Sequence, residues 1–362
     1  MSLRFGLLWP FRNPDFARVP WESLYRDHLD LIAESETLGY DHAWLSEHHF
    51  VDDGYSPSLF TIAGAVAART QRIRIGTFVL LLPLHNPVEV AEDTATVDLI
   101  SEGRFDLGVA QGYRRAEFDS QGISRARRGA RIEESLEVIR GLLSGETVTF
   151  DGEFVRVRDL RITPPALQRP HPPIWVGGIA PKPIDRAARM GFNYLAGGAA
   201  DRAAAYHEAL HAHGRDPDDF KVAGMQVIYV APTREEAWET VARPLHHTAS
   251  CYLDWFVEQS DDPAYEHSMI SVPTVDEIIS SQSFDFFGEK AIVGTPEDVI
   301  PQIEDYVSRG GITDLVCSIA LAGMSPDQIQ AGMELFAKEV IPHFRKAGDS
   351  ALAETVATQA LQ

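Results

Sequence analysis

Three groupings in the 362-residue chain have the residue types and spacing for chemistry. Glu47-His48-His49-Phe50 sets two imidazoles beside a carboxylate just after the apolar run His42–Ser46. An imidazole in such a place can hold or move a proton near neutral pH. If the run continues extended, His48 and His49 point to opposite faces, so at most one of them enters a site. The plainer reading of either is a hydrogen-bonded structural histidine. Gly177-Gly178-Ile179-Ala180 precedes a helix that Pro181 or Pro183 opens. Two glycines permit close backbone approach, and a helix start presents N–H groups and a positive dipole end to an anion such as phosphate, with Lys182 adding charge. An ordinary strand-to-helix turn would use the same residues. The third grouping, His207-Glu208-Ala209-Leu210-His211, matches H-E-x-x-H, which puts two zinc-ligand types on one helical face with a base beside them.

These residues need elements to carry them. Apolar, β-branched runs that end in Gly or a polar cluster alternate with segments of helical period. The pattern predicts eight strands: Leu3–Trp9, His42–Ser46, Arg74–Leu82, Phe105–Ala110, Ile174–Val176, Tyr194–Ala196, Val222–Val230 and Asp314–Leu321. A hairpin around Asp151-Gly152, near 146–158, interrupts the rhythm, and an irregular insertion is expected near 260–290. Alternation of this kind implies parallel pairing through crossovers. No G-x-G-x-x-G occurs and no linker divides the chain, so the expected fold is a single (β/α)8 TIM barrel over 1–346 with a polar tail over 347–362. Barrel chemistry sits where strands end. Those ends include Trp9-Pro10-Phe11, Glu47–Phe50, Phe78–Pro83, Gln111-Gly112-Tyr113 and Gly177–Ala180, an apolar mouth with sparse polar groups. The H-E-x-x-H helix falls instead between the sixth and seventh strands, on the outer ring, where a hydrolytic cleft has no walls. No metal site is expected.

Composition narrows the partners. With 32 basic and 53 acidic side chains the net charge is −21, which disfavours nucleic acid. The longest uncharged run, between Arg74 and Glu89, is broken by Pro83 and Pro87 and is shorter than the ~20 residues of a spanning helix. Neither a secretory signal nor a metal or redox spacing of Cys251 and Cys317 is visible, so a reducing, cytoplasmic setting is expected. The small, apolar stretch Thr61–Ala68 on an outer helix suggests a face covered by a partner subunit, hence a homodimer.

Trp44-Leu45-Ser46-Glu47-His48-His49-Phe50 resembles the bacterial luciferase-like flavin-dependent monooxygenases. So do, in order, Ala33–Leu45, Arg74–Pro87, Ala91-Glu92-Asp93 with Asp98, Ser101–Tyr113, Pro173–Gly178 and Gly294–Pro296. The resemblance implies a barrel that receives reduced FMN from a separate flavin reductase. It also implies that oxygen adds to the flavin, giving a hydroperoxide that oxygenates a small organic substrate. A dry mouth is then required, for which Trp9 and Phe11, lining a substrate pocket, and Phe284–Phe287, as a lid, are suited. By the same resemblance His48 is the catalytic base, and Phe78-Val79 is a cis pair supporting the isoalloxazine. Gln111, Gly112 and Tyr113 contact the flavin, and Gly177, Gly178, Ile179, Ala180 and Lys182 surround its phosphate.

Three departures limit what carries over. Ala110 stands where luciferase has its reactive cysteine, Gln111 where it has a phosphate-contacting arginine, and Gly178-Ile179 where it has Glu-Ser. Aldehyde-driven light emission therefore does not follow. A deazaflavin-dependent oxidoreductase on the same barrel is the second reading. A non-catalytic flavin-binding protein and a zinc metallopeptidase are the remaining ones.

Overall fold

The computed structural model describes residues 3–257, 271–286 and 288–345. The strands in chain order are β1 (Arg4–Trp9), β2 (His42–Leu45), β3 (Arg74–Thr77), β4 (Leu80–Leu81), β5 (Phe105–Ala110), β6 (Val148–Asp151) and β7 (Arg156–Leu160). They continue with β8 (Ile174–Gly177), β9 (Asn193–Gly197), β10 (Val222–Val230), β11 (Asp285–Phe286), β12 (Glu289–Lys290), β13 (Ile292–Gly294) and β14 (Asp314–Ser318). The helices are α1 (Trp21–Thr37), α2 (Leu59–Arg69), α3 (Pro87–Ile100), α4 (Arg115–Ser120), α5 (Arg128–Leu143) and α6 (Pro181–Met190). After them come α7 (Ala200–Ala212), α8 (Arg234–Val257), α9 (Val275–Ser281), α10 (Pro296–Gly310), α11 (Pro326–Leu335) and α12 (Ile341–Phe344). The main sheet pairs in the order β13-β10-β14-β1-β2-β3-β5-β8-β9, and β9 pairs again with β10. Strand order that returns to its start, with helices at the crossovers, is the topology of a (β/α)8 barrel.

The chain packs as two compact units. The first holds residues 1–44, 196–205 and 221–362. In it β14 lies between β1 and β10, with Gly6 opposite Val316 and Gln226 opposite Cys317. Phe5 packs edge-on to Phe336 at 5.7 Å, and both rings are fully buried. Thr274, Thr295 and Ser325 each form a capping box, which starts α9, α10 and α11 by satisfying first-turn N–H groups.

The second unit holds residues 45–195 and 206–220. Here β5 lies between β3 and β8, with Ile75 opposite Phe105 and Leu107 opposite Ile174. Thr77 locks this sheet: its hydroxyl donates to Gly108 O at 2.6 Å and accepts from Gly108 N at 2.8 Å. The approach is possible only because residue 108 has no side chain, since a Cβ there would lie 1.9 Å from Thr77 O. The β6–β7 hairpin is held by Glu134, whose carboxylate accepts from the amides of Glu153, Phe154 and Val155 at 2.7–3.0 Å.

Several expectations need correction. The predicted third strand divides into β3 and β4 around Phe78–Val79, whose peptide bond is cis. The interval 260–290 is not irregular where it is described: it contains α9 and the β11–β12 hairpin, and β13 follows it to pair with β10. Its Thr-x-x-Glu start signal was present, but no apolar period accompanied it. α4 was not anticipated, and it proves decisive for the site. The tail 347–362 lies outside the described residues. Gly108→Ala is expected to lose about 3 kcal/mol of stability in urea unfolding, because the new methyl meets backbone that cannot move aside.

Candidate active site

His48 leaves the end of β2 and is buried, with 7% of its surface exposed. Its Nδ1 lies 2.8 Å from Glu117 Oε1, and its amide donates to Tyr55 O at 3.0 Å. The imidazole meets the ring of Tyr55 edge-on at 4.7 Å and that of Tyr113 at 5.8 Å. Glu117 is fully buried on α4. The same Oε1 accepts from the amide of His49 at 3.1 Å and approaches Arg114 Nη1 at 3.5 Å. Arg114 also donates to His49 O at 2.6 Å. The contact with Glu117 fixes the orientation of the imidazole through Nδ1. α4 is too short to be stable alone. Phe118, packed with Leu81, Leu84, Val79 and Ile123, anchors it and thereby aims Glu117.

His49 turns the other way, although β2 ends at Leu45 and strand alternation does not extend to it. Its Nε2 and that of His85 both lie 2.8 Å from Glu47 Oε1, while Glu47 Oε2 accepts from the amide of Leu81 at 2.6 Å. Burial alone would raise the Glu47 pKa, but the hydrogen bonds from His49, His85 and Leu81 prevail and hold it down to about 2. The Glu47 contact raises the pKa of His49 against the opposing effect of burial. Glu47, His49 and His85 could gather around an ion, and both histidines are hydrogen-bonded to Glu47.

Two strand ends in the same unit supply backbone. Gly112 has φ +66°, and a Cβ on it would lie 3.1 Å from the Phe118 ring, so glycine sets the turn that carries Gln111 and Tyr113. At the end of β8, a Cβ on Gly177 would lie 3.2 Å from Val79 Cγ1, which places Val79 of the cis pair against this loop. A Cβ on Gly178 would lie 2.4 Å from Pro183 Cβ, and Tyr194 donates to Gly178 O at 2.6 Å. Ala180 begins α6 without a side-chain cap. Pro181 and Pro183 lack N–H groups, so the donors of this turn are the amides of Gly178, Ile179, Ala180 and Lys182. Uncapped amides in a side-chain-free cradle beside an exposed lysine are a donor set that fits a phosphate.

The remaining candidates lie elsewhere. Trp9 and Phe11 belong to the first unit and are fully buried, with the Phe11 ring 5.0 Å from Tyr25 and 5.1 Å from His28. Phe284 and Phe286 are buried too, Phe286 standing edge-on to Tyr252 at 5.8 Å, and Phe287 is outside the described residues. On α7, Glu208 and His211 are exposed and His207 is half-buried. Among the described residues they gather with no third ligand group within 4.8 Å.

The family described as luciferase-like monooxygenase matches residues 3–313. The chain belongs to the luciferase-like monooxygenase family. Among its relatives is the oxygenase component of the flavin-dependent trigonelline monooxygenase of Acinetobacter baylyi, 25% identical over 337 residues that span 90% of this chain and 91% of that protein. The monooxygenase RslO1 of Streptomyces bottropensis superposes with a TM-score of 0.80 at 26% identity, covering 95% of this chain and all of the other. The coenzyme F420-dependent tetrahydromethanopterin reductase of Methanopyrus kandleri shares the fold, with a TM-score of 0.72, 22% identity, and coverage of 95% and 100%.

Sequence reasoning missed Glu117 and Arg114. Arg114-Arg115-Ala116-Glu117 is a charged stretch that offers no apolar period of its own, with Phe118 as the one large apolar side chain beside it. The Glu47 carboxylate has a pH signature. Its folded pKa is depressed, so its contribution is complete above about pH 4.5 and is lost as pH falls toward 2, on the order of 3 kcal/mol. Urea unfolding from pH 6 to 2 is expected to show this acid-side loss in the wild type and a shallower one in Glu47→Gln. Parallel slopes would contradict the assignment.

Proposed function

We propose that this chain is the oxygenase of a two-component, FMN-dependent monooxygenase, one that takes reduced FMN from a separate reductase and uses molecular oxygen to oxygenate a small organic substrate. The observation that carries the reading is His48, buried between two tyrosine rings with its Nδ1 held by Glu117. Reduced FMN, when bound, supplies the electrons that activate oxygen. The chain supplies the rest. The Phe78–Val79 pair beside Gly177 supports the ring, with Gln111, Gly112 and Tyr113 along the neighbouring strand end. The amides of Gly178, Ile179 and Ala180, with Lys182, receive the phosphate. The Tyr55 and Tyr113 rings limit water at His48, and Nε2 of His48 moves a proton at the reacting centre.

Deazaflavin use is the second reading, favoured by the fold shared with an F420-dependent reductase. An anaerobic titration with reduced FMN and with reduced deazaflavin, followed by rapid mixing with oxygen, separates the two. Tight FMN binding and an oxygen-dependent absorbance transient are expected; binding of deazaflavin alone would reverse the assignment. His48→Ala is expected to lower oxygenation about 10²- to 10⁴-fold with flavin affinity little changed, and Glu117→Gln to lower it less and to shift its pH profile. A His48→Ala enzyme of full activity would instead indicate a protein that merely holds flavin.

We also propose a homodimer through α2. One face of this helix is buried by Ile62, Ala63, Val66 and Ala67, while Thr61 and Ala68 are exposed and a Cβ on Gly64 would meet nothing within 4 Å. Small residues on the outer face allow a second helix to approach closely. Light scattering at micromolar concentration is expected to give the dimer mass; a monomer would contradict it. The free thiols Cys251 and Cys317 fit a cytoplasmic setting.

A further inference from the structure

Arg186 is built to receive an anion. It lies on α6 and is only 5% exposed. Its Nε donates to Glu133 Oε1 at 2.9 Å, but Glu133 is shared, since its other oxygen lies 2.9 Å from Arg189 Nη2. Arg186 Nη1 is buried with no hydrogen-bond partner among the described residues. A buried guanidinium N–H without an acceptor is unfavourable, and an oxyanion at Nη1 would remove the deficit.

The surroundings say where that oxyanion sits. Arg186 Nη2 lies 3.0 Å from the point that a Cβ on Gly129 would occupy, and Gln111 Oε1 lies 3.8 Å from the same point. Gly129 is in the first turn of α5, a helix of 16 residues whose N-cap, Arg127, makes no side-chain cap and whose first turn holds no acidic residue. The outer edge of Arg186 therefore faces the first turn of α5 at a residue with no side chain, with Gln111 Oε1 nearby. Lys182 is exposed, and its charge is screened by solvent; Arg186 acts from a low-dielectric position.

We propose that Arg186, one turn further along α6 than Lys182, is the buried cation that completes the phosphate site of the flavin nucleotide, making it the residue that distinguishes FMN from unphosphorylated flavin. The inference rests on the FMN reading above. FMN and riboflavin share ring and ribityl chain and differ only in the phosphate, so their affinities for wild type, Arg186→Gln and Arg186→Lys isolate the contact. Fluorescence titration with the oxidised forms is expected to show wild type preferring FMN. Arg186→Gln should weaken FMN about 10- to 100-fold and leave riboflavin unchanged, with Arg186→Lys recovering part of the loss. The wild-type preference should also fall as ionic strength rises. Should Arg186→Gln fail to fold, Gly129→Ala gives the same readout from the other side, because its methyl displaces Nη2 and is expected to weaken FMN alone. A wild type that binds neither flavin overturns the FMN reading and this inference with it. A wild type that prefers FMN, with that preference intact in Arg186→Gln or Gly129→Ala, overturns the inference and leaves the reading standing.

Discussion

The second unit is organised around two buried carboxylates. Glu47 and Glu117 are 2% and 0% exposed, and a carboxyl group so placed needs hydrogen-bond partners, which meet both oxygens of Glu47 and, among the described residues, only Oε1 of Glu117. His49 and His85 serve Glu47 from opposite sides of its Oε1, while His48, the His49 amide and Arg114 serve Glu117. Each acid thus fixes one of two neighbouring imidazoles, and the two point apart. Withdrawing either carboxylate would free a histidine and leave cations or N–H groups buried without acceptors. The loop after β2, the turn after β4 and the short α4 hold their places through this exchange.

Those anchored loops make a reactive group out of an ordinary one. A histidine at a strand end can flip, take either tautomer and exchange with water. Held at Nδ1 by Glu117, the imidazole is fixed in orientation, and the rings of Tyr55 and Tyr113 stand edge-on against it. Positioning of the imidazole comes from the protein's own side chains. The phosphate end follows a different rule. A chain of net charge −21 repels an anionic nucleotide at long range, so capture depends on local donors within a Debye length, about 8 Å at physiological salt. The starts of α5 and α6 carry no side-chain cap, and Gly129, Gly177 and Gly178 keep side chains out of their approaches.

Much of the scaffold was legible. The eight predicted strands recur with ends shifted by a few residues, because buried parallel strands are written as continuous apolar runs. His48, Gly112 and Gly178 stand out because each sits at a strand end, where a chain of this alternation must put its chemistry. What escaped was short or ambiguous. α4 spans Arg115–Ser120, less than two turns, and contributes a single large apolar anchor, Phe118, too little for a period to register. α9 carried a proper capping box but no amphipathic stripe. Trp9 and Phe11 illustrate the reverse: aromatic character at a strand end was readable, but not which neighbours each ring would meet, and Phe11 packs on Tyr25 and His28 of α1.

The amino-acid order alone determined the alternation of strand and helix and the glycines that permit close backbone approach. These follow from periods and from missing side chains, which are local properties. Only the tertiary structure decided that Glu117, 69 residues beyond His48, would be the acid that orients it, and that Arg186 would bring its charge to Gly129. A charged side chain carries no mark of burial in its own stretch of sequence. Whether it faces solvent or a partner depends on the packing of neighbours such as Phe118, and that packing exists only once distant segments have come together.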